Sequence, residues 1–110
     1  MTDDLEFTPK ERDLIRREFM LRLSSARSLH EGILVKRWAT GPNKGQPKPP
    51  AAVQSMLERG LVALDDNGSH WLKATFTAKG IMALRRMAAD QRALPPGQYQ
   101  QLRDELANLP

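Results

Sequence analysis

Apolar residues recur at intervals of three and four near both ends of the chain, a pattern typical of amphipathic helices. We expect the first helix to run from about Pro9 to Ser24. Thr8 and Glu11 are spaced to form a reciprocal capping box, and Pro9 suits the first helical position because its missing N–H has no partner there. A last short helix is expected from Gln98 to Ala107, with one apolar face formed by Tyr99, Leu102 and Leu106.

The segment after the first helix fits either a helix or a strand. Ser28 and Glu31 repeat the capping pattern, and the apolar residues behind them lie at helical spacing. On this basis we predict a short helix from Leu29 to Ala39, with Trp38 on its buried side. The run Ile-Leu-Val within it also suits a strand, and so short an apolar run does not decide between the two. A loop should follow from Thr40 to Pro49, because its glycines and prolines disfavour regular structure.

A compact helix is predicted from Pro50 to Arg59, because a proline opens it and Gly60 closes it. Its buried stripe should consist of Val53, Met56 and Leu57. A β-hairpin should follow from Leu61 to Phe76, with its turn at Asn67-Gly68, the strongest short hairpin signal. Another helix should then run from a cap at Thr77 to about Gln91.

The return strand of this hairpin alternates in character, as a strand with one buried face does. Its inner face should carry Leu72, Ala74 and Phe76. Its outer face should carry Trp71, Lys73 and Thr75. An exposed tryptophan can stack on the bases of a single strand, but Trp71 could equally pack against the first or last helix.

The composition is globular, with 40% hydrophobic and 27% charged residues in a chain of 110, which suits a single domain over residues 1–110. We expect a tail at 1–8, a basic Pro/Gly-rich loop at 41–49 and a C-terminal extension at 94–110. The absence of cysteine excludes disulfides, thiolate metal sites and cysteine nucleophiles. No apolar run approaches the roughly 20 residues of a membrane span, and the acidic start is unlike a signal peptide, so we expect a cytoplasmic protein without a membrane partner.

The positive charge of the chain is concentrated in one segment. The net charge of +4 comes from 17 basic and 13 acidic residues, and the whole excess lies between Gly32 and Arg59, where Glu58 is the only acidic residue. The basic residues of this segment are Lys36, Arg37, Lys44, Lys48 and Arg59. A local basic stretch is the electrostatic signature of nucleic-acid binding, and a solvated loop without a partner is the alternative interpretation.

Two strings of sequence flank the predicted hairpin, V-Q-S-M-L-E-R-G-L-V at 53–62 and F-T-A-K-G at 76–80. Together they resemble the recognition helix, wing and following helix of MarR-type winged-helix regulators. The resemblance extends over about residues 50–87 and implies a mainly α-helical winged helix-turn-helix fold with a small β-hairpin. Three helices would be followed by the wing and then by two C-terminal helices. The resemblance also implies a transcriptional regulator that binds double-stranded DNA.

In that arrangement the helix at Pro50–Arg59 would enter the major groove, where Gln54 can pair with adenine and Ser55 can contact several bases. Basic side chains before it would bind phosphates. The wing should contribute little, because phosphates repel Asp65 and Asp66 at its tip. The expected DNA-binding residues are Lys36, Arg37, Lys44, Lys48, Ala51, Gln54 and Ser55.

A homodimer is also implied, because MarR-type proteins dimerise through their terminal helices. The candidates for that contact are Leu5, Phe7, Tyr99, Leu102 and Leu106. Tyr99 and Leu102 could equally complete the core of a monomer.

The alternative function is a non-catalytic adaptor whose basic loop binds an acidic protein. An enzyme is not expected, because the sequence has neither a glycine-rich phosphate loop nor a nucleophile elbow. His30 and His70 lack a set of further ligands, so we expect neither a metal site nor another cofactor.

Overall fold

The structure is a computed structural model, and it describes residues 6–20, 28–66, 68 and 71–109. Its helices are α1 (Pro9–Phe19), α2 (Ala51–Glu58), α3 (Ala78–Ala88) and α4 (Pro96–Asn108). Its strands are β1 (Ile33–Arg37), β2 (Pro47–Lys48), β3 (Val62–Asp65) and β4 (Leu72–Phe76). The strands form an antiparallel sheet in the order β2-β1-β4-β3.

The predicted winged helix-turn-helix fold is therefore wrong. A strand, β1, lies where the second helix was expected from Leu29 to Ala39, so the described residues before the β3–β4 hairpin hold two helices and not the expected three. The hairpin of β3 and β4 is not a separate wing either, because β4 also pairs with β1 and continues the sheet toward β2. The described residues combine their helices with a four-stranded antiparallel sheet.

Side-chain alternation and a distant partner explain why β1 is a strand. Ile33 and Val35 are 1% and 0% exposed and face the core, whereas Lys36 is exposed. Both buried residues lie opposite β4, where Ile33 pairs with Ala74 and Val35 with Leu72. Cross-strand pairs of this kind stabilise a sheet, and the spacing of apolar residues along the segment alone does not reveal them.

The cap expected at Ser28 serves a different contact. Its hydroxyl donates to Glu105 of α4 (3.1 Å), and the same carboxylate accepts from the Leu29 N–H (2.8 Å). A turn then leads into β1 through Gly32, whose φ of +63° favours glycine. A Cβ at this position would also overlap the carbonyl oxygen of Ala74, so the approach of the chain to β4 requires a glycine.

Three of the predicted signals at helix ends are confirmed, those at Thr8, Thr77 and Gly60. Thr8 and Glu11 form the capping box of α1 in both directions, at 2.8 and 3.2 Å. The Thr77 hydroxyl accepts from the Gly80 N–H at the start of α3. Gly60, at φ +76°, follows α2 and closes it with the bonds of a Schellman motif.

The two strings that resemble MarR-type regulators meet where α2 ends and α3 begins, a contact we call the α2–α3 junction. Lys79 Nζ donates to the Arg59 carbonyl (3.1 Å), and the Thr77 hydroxyl donates to the Gly60 carbonyl (2.6 Å). The Thr77 N–H donates to the Leu61 carbonyl (3.1 Å). Residues of both strings therefore fix α3 against the connection between α2 and β3.

Buried apolar side chains from α1 to α4 and from β1, β3 and β4 form the core. The described residues expected at a dimer contact belong to this core: Phe7, Tyr99, Leu102 and Leu106. Their burial within a single chain removes the basis for the predicted dimer, and Leu5 lies outside the described residues. Within the described ranges, no helix combines the length and the apolar character needed to cross a membrane.

Candidate functional site

The outer surface of the sheet carries a concentration of basic and aromatic side chains around β1. Because side chains alternate along a strand, Lys36 and Trp38 lie on the side away from the core. The strand register places Lys48 of β2 opposite Lys36, and Lys73 of β4 opposite Leu34. We call this surface the basic sheet face, and its members are Lys36, Trp38, Lys48, Trp71 and Lys73.

β1 and β2 form a hairpin, which corrects the prediction of an irregular loop from Thr40 to Pro49. Beyond the paired strands, the Trp38 N–H donates to the Gln46 carbonyl and the Gly45 N–H donates to the Trp38 carbonyl, both at 2.9 Å. Lys44 lies in the turn that closes the hairpin. The backbone of Trp38 is therefore held in a ladder, with a lysine at the tip of the same hairpin.

Each tryptophan has a lysine ammonium near its ring. Lys48 Nζ lies 4.6 Å from the centre of the Trp38 ring, and Lys36 Nζ lies 5.9 Å from the centre of the Trp71 ring, which are cation–π distances. Trp38 is 40% exposed and Trp71 is 39% exposed. The prediction that Trp38 belongs to the core is therefore wrong, because it continues the outward side of β1 rather than the buried side of a helix.

A cleft of about 480 Å³ has both tryptophans in its lining. Its other lining residues come from β1 and the hairpin turn, and they are Lys36, Arg37, Ala39, Lys44 and Gly45. The volume falls within the roughly 300–1,000 Å³ range of small-ligand sites. Indole rings flanked by cationic groups suit a ligand that has a planar aromatic part and a negative charge.

Arg37 contributes to this cleft as part of an ion pair. Its guanidinium contacts Asp66, in the connection between β3 and β4, and Nη1 also donates to the Gly45 carbonyl (2.9 Å). The Arg37 guanidinium, assisted by the Gly68 N–H, lowers the pKa of Asp66 below its ordinary value. Asp66 is therefore ionised at neutral pH, and Arg37 partly neutralises the acidic tip that was expected to repel phosphates.

The α2 residues of the predicted DNA interface do not line this cleft. Ala51 and Gln54 are exposed, and Gln54 Nε2 donates to Glu58 on the same helix (3.3 Å). The Ser55 hydroxyl donates to Glu11 of α1 (2.6 Å), so it serves an internal contact. The predicted residues that the structure does bring together are Lys36, Arg37, Lys44 and Lys48.

A larger depression, of about 680 Å³, lies between α1, the start of α2 and α4. Arg16 in its wall is engaged by Asp13 (3.0 Å) and by the Ala93 carbonyl (2.9 Å). Its one aromatic lining residue among the described residues, Tyr99, is 2% exposed. The other basic residues of the depression are Lys10, Arg17 and Arg92. This depression offers cationic groups without an exposed aromatic ring, so we take the cleft on the basic sheet face as the candidate site.

The sequence predicts Trp71 and Lys73 on one outer face, but the position of Trp38 on the same surface was missed. The alternation of Leu34, Lys36 and Trp38 was a signal for it, because residues two apart share a face of a strand. This alternation indicates a shared face only if the segment is a strand, and the spacing of its apolar residues did not decide between a strand and a helix.

The described part of the chain holds no group of three His, Cys, Asp or Glu side chains that could bind a metal ion. His30 is exposed in the turn before β1, and His70 lies outside the described residues. Comparison of the chain with protein-family models, curated proteins and solved structures gave no match.

Proposed function

We propose that this protein binds nucleic acid, without catalysing a reaction, through the cleft and the basic sheet face around it. The observation that carries this proposal is the presence of two exposed tryptophans and three lysines around one cleft. The lysines Lys36, Lys44 and Lys48 attract phosphates, and the indole rings offer flat surfaces to bases. A cytoplasmic location is part of this proposal.

The geometry favours contact through the sheet face over the contact through α2 that was expected for double-stranded DNA. Ser55 donates to Glu11, so its hydroxyl is not directed to a base. The strand β1 replaces the helix that would position a recognition helix in the major groove. Lys36 and Lys48 lie in the paired strands of the β1–β2 hairpin beside exposed rings, and with Lys44 in the turn they supply the phosphate contacts in this proposal.

An acidic protein segment is the alternative partner, because lysines attract carboxylates as well as phosphates. The two tryptophans favour nucleic acid, since a negatively charged backbone with regularly spaced flat bases matches both features of the cleft. A partner bound by charge alone would have no need of the rings.

Binding to labelled DNA should be strongly salt-dependent. If Lys36, Lys44 and Lys48 each neutralise one phosphate, affinity falls roughly 20- to 40-fold between 50 and 200 mM salt. Lys44→Glu combined with Lys48→Glu removes two such contacts and adds repulsion, so we expect a loss of roughly 50-fold or more at 50 mM salt. Fluorescence anisotropy of a labelled oligonucleotide measures both effects.

A matched control variant reverses the same number of positive charges at a different surface. Lys10→Glu combined with Arg92→Glu reverses two exposed cations at the larger depression and should leave affinity within a few-fold of the original protein. Melting temperatures of both double variants establish that they remain folded. Absence of binding at 50 mM salt would reject the proposal, and so would a larger loss in the control than in the hairpin variant.

Replacing Asp66 with asparagine should strengthen binding. The substitution removes a negative charge that lies beside the cleft and that neutralises the charge of Arg37, so the cleft becomes more attractive to phosphates. We expect affinity to rise severalfold at 50 mM salt and the slope of log affinity against log salt to steepen by about 0.7 to 0.9, the contribution of one phosphate. Asp104→Asn is the control, because this exposed carboxylate lies on α4. Unchanged or weaker binding by the Asp66 variant would show that Arg37 and Asp66 lie outside the interface.

A further inference from the structure

We propose that the cleft accepts unpaired bases, so that the preferred ligand is single-stranded nucleic acid. This inference rests on the proposed function and specifies the form of nucleic acid. Trp38 and Trp71 both line the cleft, and each is about two-fifths exposed, at 40% and 39%. Indole rings presented in this way stack on bases of any sequence, because every base has a flat face.

Paired bases cannot use these rings. In a duplex each base is stacked between its neighbours, and bringing a base out of the stack requires breaking those contacts. A single strand exposes its bases at little cost. The lining of the cleft includes Trp38, which directly follows β1, and Trp71, which directly precedes β4, together with Lys36 and Lys44. A duplex would contact the lysines through its phosphates, and its bases would not stack on the tryptophan rings.

The positions of the lysines fit the backbone of a stacked strand. Lys48 lies over the Trp38 ring at 4.6 Å, and Lys36 lies near the Trp71 ring at 5.9 Å. A base that stacks on such a ring face displaces the ammonium group, and the exposed lysine side chain can then meet a phosphate of the same strand. Lys44 at the tip of the hairpin extends the positive surface beyond the two rings. Base stacking and phosphate attraction thus act on the same strand at the same time.

The site is also largely preformed. Backbone hydrogen bonds of 2.9 Å on both sides of Trp38 join it to Gln46 and Gly45, so the hairpin that carries it is ordered by its own ladder. Trp71 directly precedes β4, whose pairing with β1 places it beside Lys36. A strand that binds here orders few protein groups, which favours affinity.

Two oligonucleotides of equal charge separate stacking from electrostatics. We would compare a labelled oligothymidylate of about ten nucleotides with an abasic oligomer of the same length at 50 mM salt. If bases stack on both rings, we expect oligothymidylate to bind roughly 30-fold or more tighter than the abasic oligomer. A duplex of the same length should also bind more weakly than the single strand.

The tryptophans report on the cleft directly. The chain has 2 tryptophans, and both line it, so quenching of intrinsic fluorescence measures occupancy of this site. Oligothymidylate should quench this fluorescence more than the abasic oligomer does. Trp38→Ala should weaken binding of oligothymidylate roughly 5- to 150-fold and leave binding of the abasic oligomer nearly unchanged. Trp38→Phe should restore much of the affinity, because it keeps an aromatic face.

The control variant is Met82→Ala, which removes an exposed apolar side chain (52% exposed) from α3 and should not change binding. Equal affinity for oligothymidylate and the abasic oligomer, with a steep salt dependence for both, would overturn the single-strand inference and leave the proposed function standing. Tighter binding to the duplex would also overturn it. If neither oligomer binds at 50 mM salt but an oligoglutamate peptide does, the proposed function itself fails.

Discussion

Replacing Gly80 with alanine should lower the melting temperature by about 8 to 16 °C, although alanine is the better helix former. Gly80 lies in the first turn of α3 at the α2–α3 junction, and an added Cβ would overlap the carbonyl oxygen of Leu61. The same Cβ would lie 2.9 Å from the Leu61 carbonyl carbon and 3.1 Å from a ring carbon of Phe76. The obstacle is backbone, so the helix must move, and we expect a net loss of at least about 2 kcal/mol in the free energy of unfolding.

Gly97→Ala supplies the matched control for this prediction. Gly97 also lies in the first turn of a helix, α4, and nothing lies within 4 Å of a Cβ built there. The control should be neutral or stabilising by up to about 1 kcal/mol. Thermal and urea unfolding of both variants measure the difference. Equal stability of the two variants would mean that α3 does not approach the α2–β3 connection as closely as the structure shows.

The α2–α3 junction also changes the meaning of the sequence resemblance. The strings at 53–62 and 76–80 resemble the recognition helix and the helix after the wing of a DNA-binding domain, but Thr77 and Lys79 use their side chains to bond the carbonyls of Gly60 and Arg59. Gly80 permits the close contact with Leu61. These residues therefore join a helix, a strand and a second helix, a role that is independent of DNA and of the winged-helix arrangement.

Features set by neighbouring residues could be predicted from the sequence. The capping box at Thr8, the cap at Thr77 and the glycine end at Gly60 depend on contacts within a few positions, and all are confirmed. The alternation in β4 is also confirmed, because Leu72 and Ala74 are buried and Trp71 is exposed. Each of these features could be predicted because it depends only on residues that are close together in the sequence.

Features set by distant partners could not be predicted in this way. The strand β1 pairs with β4, and Val35 lies opposite Leu72, far along the chain. The same short apolar run fits a helix when that partner is unknown. The wrong prediction of a helix in this segment also affected the candidate site. A helix would place Trp38 in the core, whereas the strand places it beside Lys48 on an outer surface. The excess of positive charge and the outward position of Trp71 were predictable, but the exposed position of Trp38 beside Lys48 was not.

Glu11 should be among the most important residues for stability, although the sequence indicates only a role in capping. The side chain is 0% exposed, and its carboxylate accepts from the Thr8 N–H (2.8 Å), the Ser55 hydroxyl (2.6 Å) and Arg59 Nη1 (2.6 Å). Glu11→Leu removes the carboxylate that pairs with the 22% exposed Arg59 side chain and that accepts from the Ser55 hydroxyl. Breaking a buried ion pair from one side costs about 3–5 kcal/mol, and we expect a loss of that size in urea unfolding.

A second substitution tests whether the loss comes from the charge of Arg59 once the Glu11 carboxylate is gone. Adding Arg59→Leu to Glu11→Leu removes that charge, so the double variant should be more stable than the single variant by about 1 kcal/mol or more. Asp13→Ala is the control on the same helix, because Asp13 pairs with Arg16 at 73% side-chain exposure and should contribute less than about 1 kcal/mol. High salt should weaken the exposed pair and leave the buried one nearly unchanged. If Glu11→Leu and Asp13→Ala are equally mild, the carboxylate of Glu11 does not join α1 to α2 in the way described.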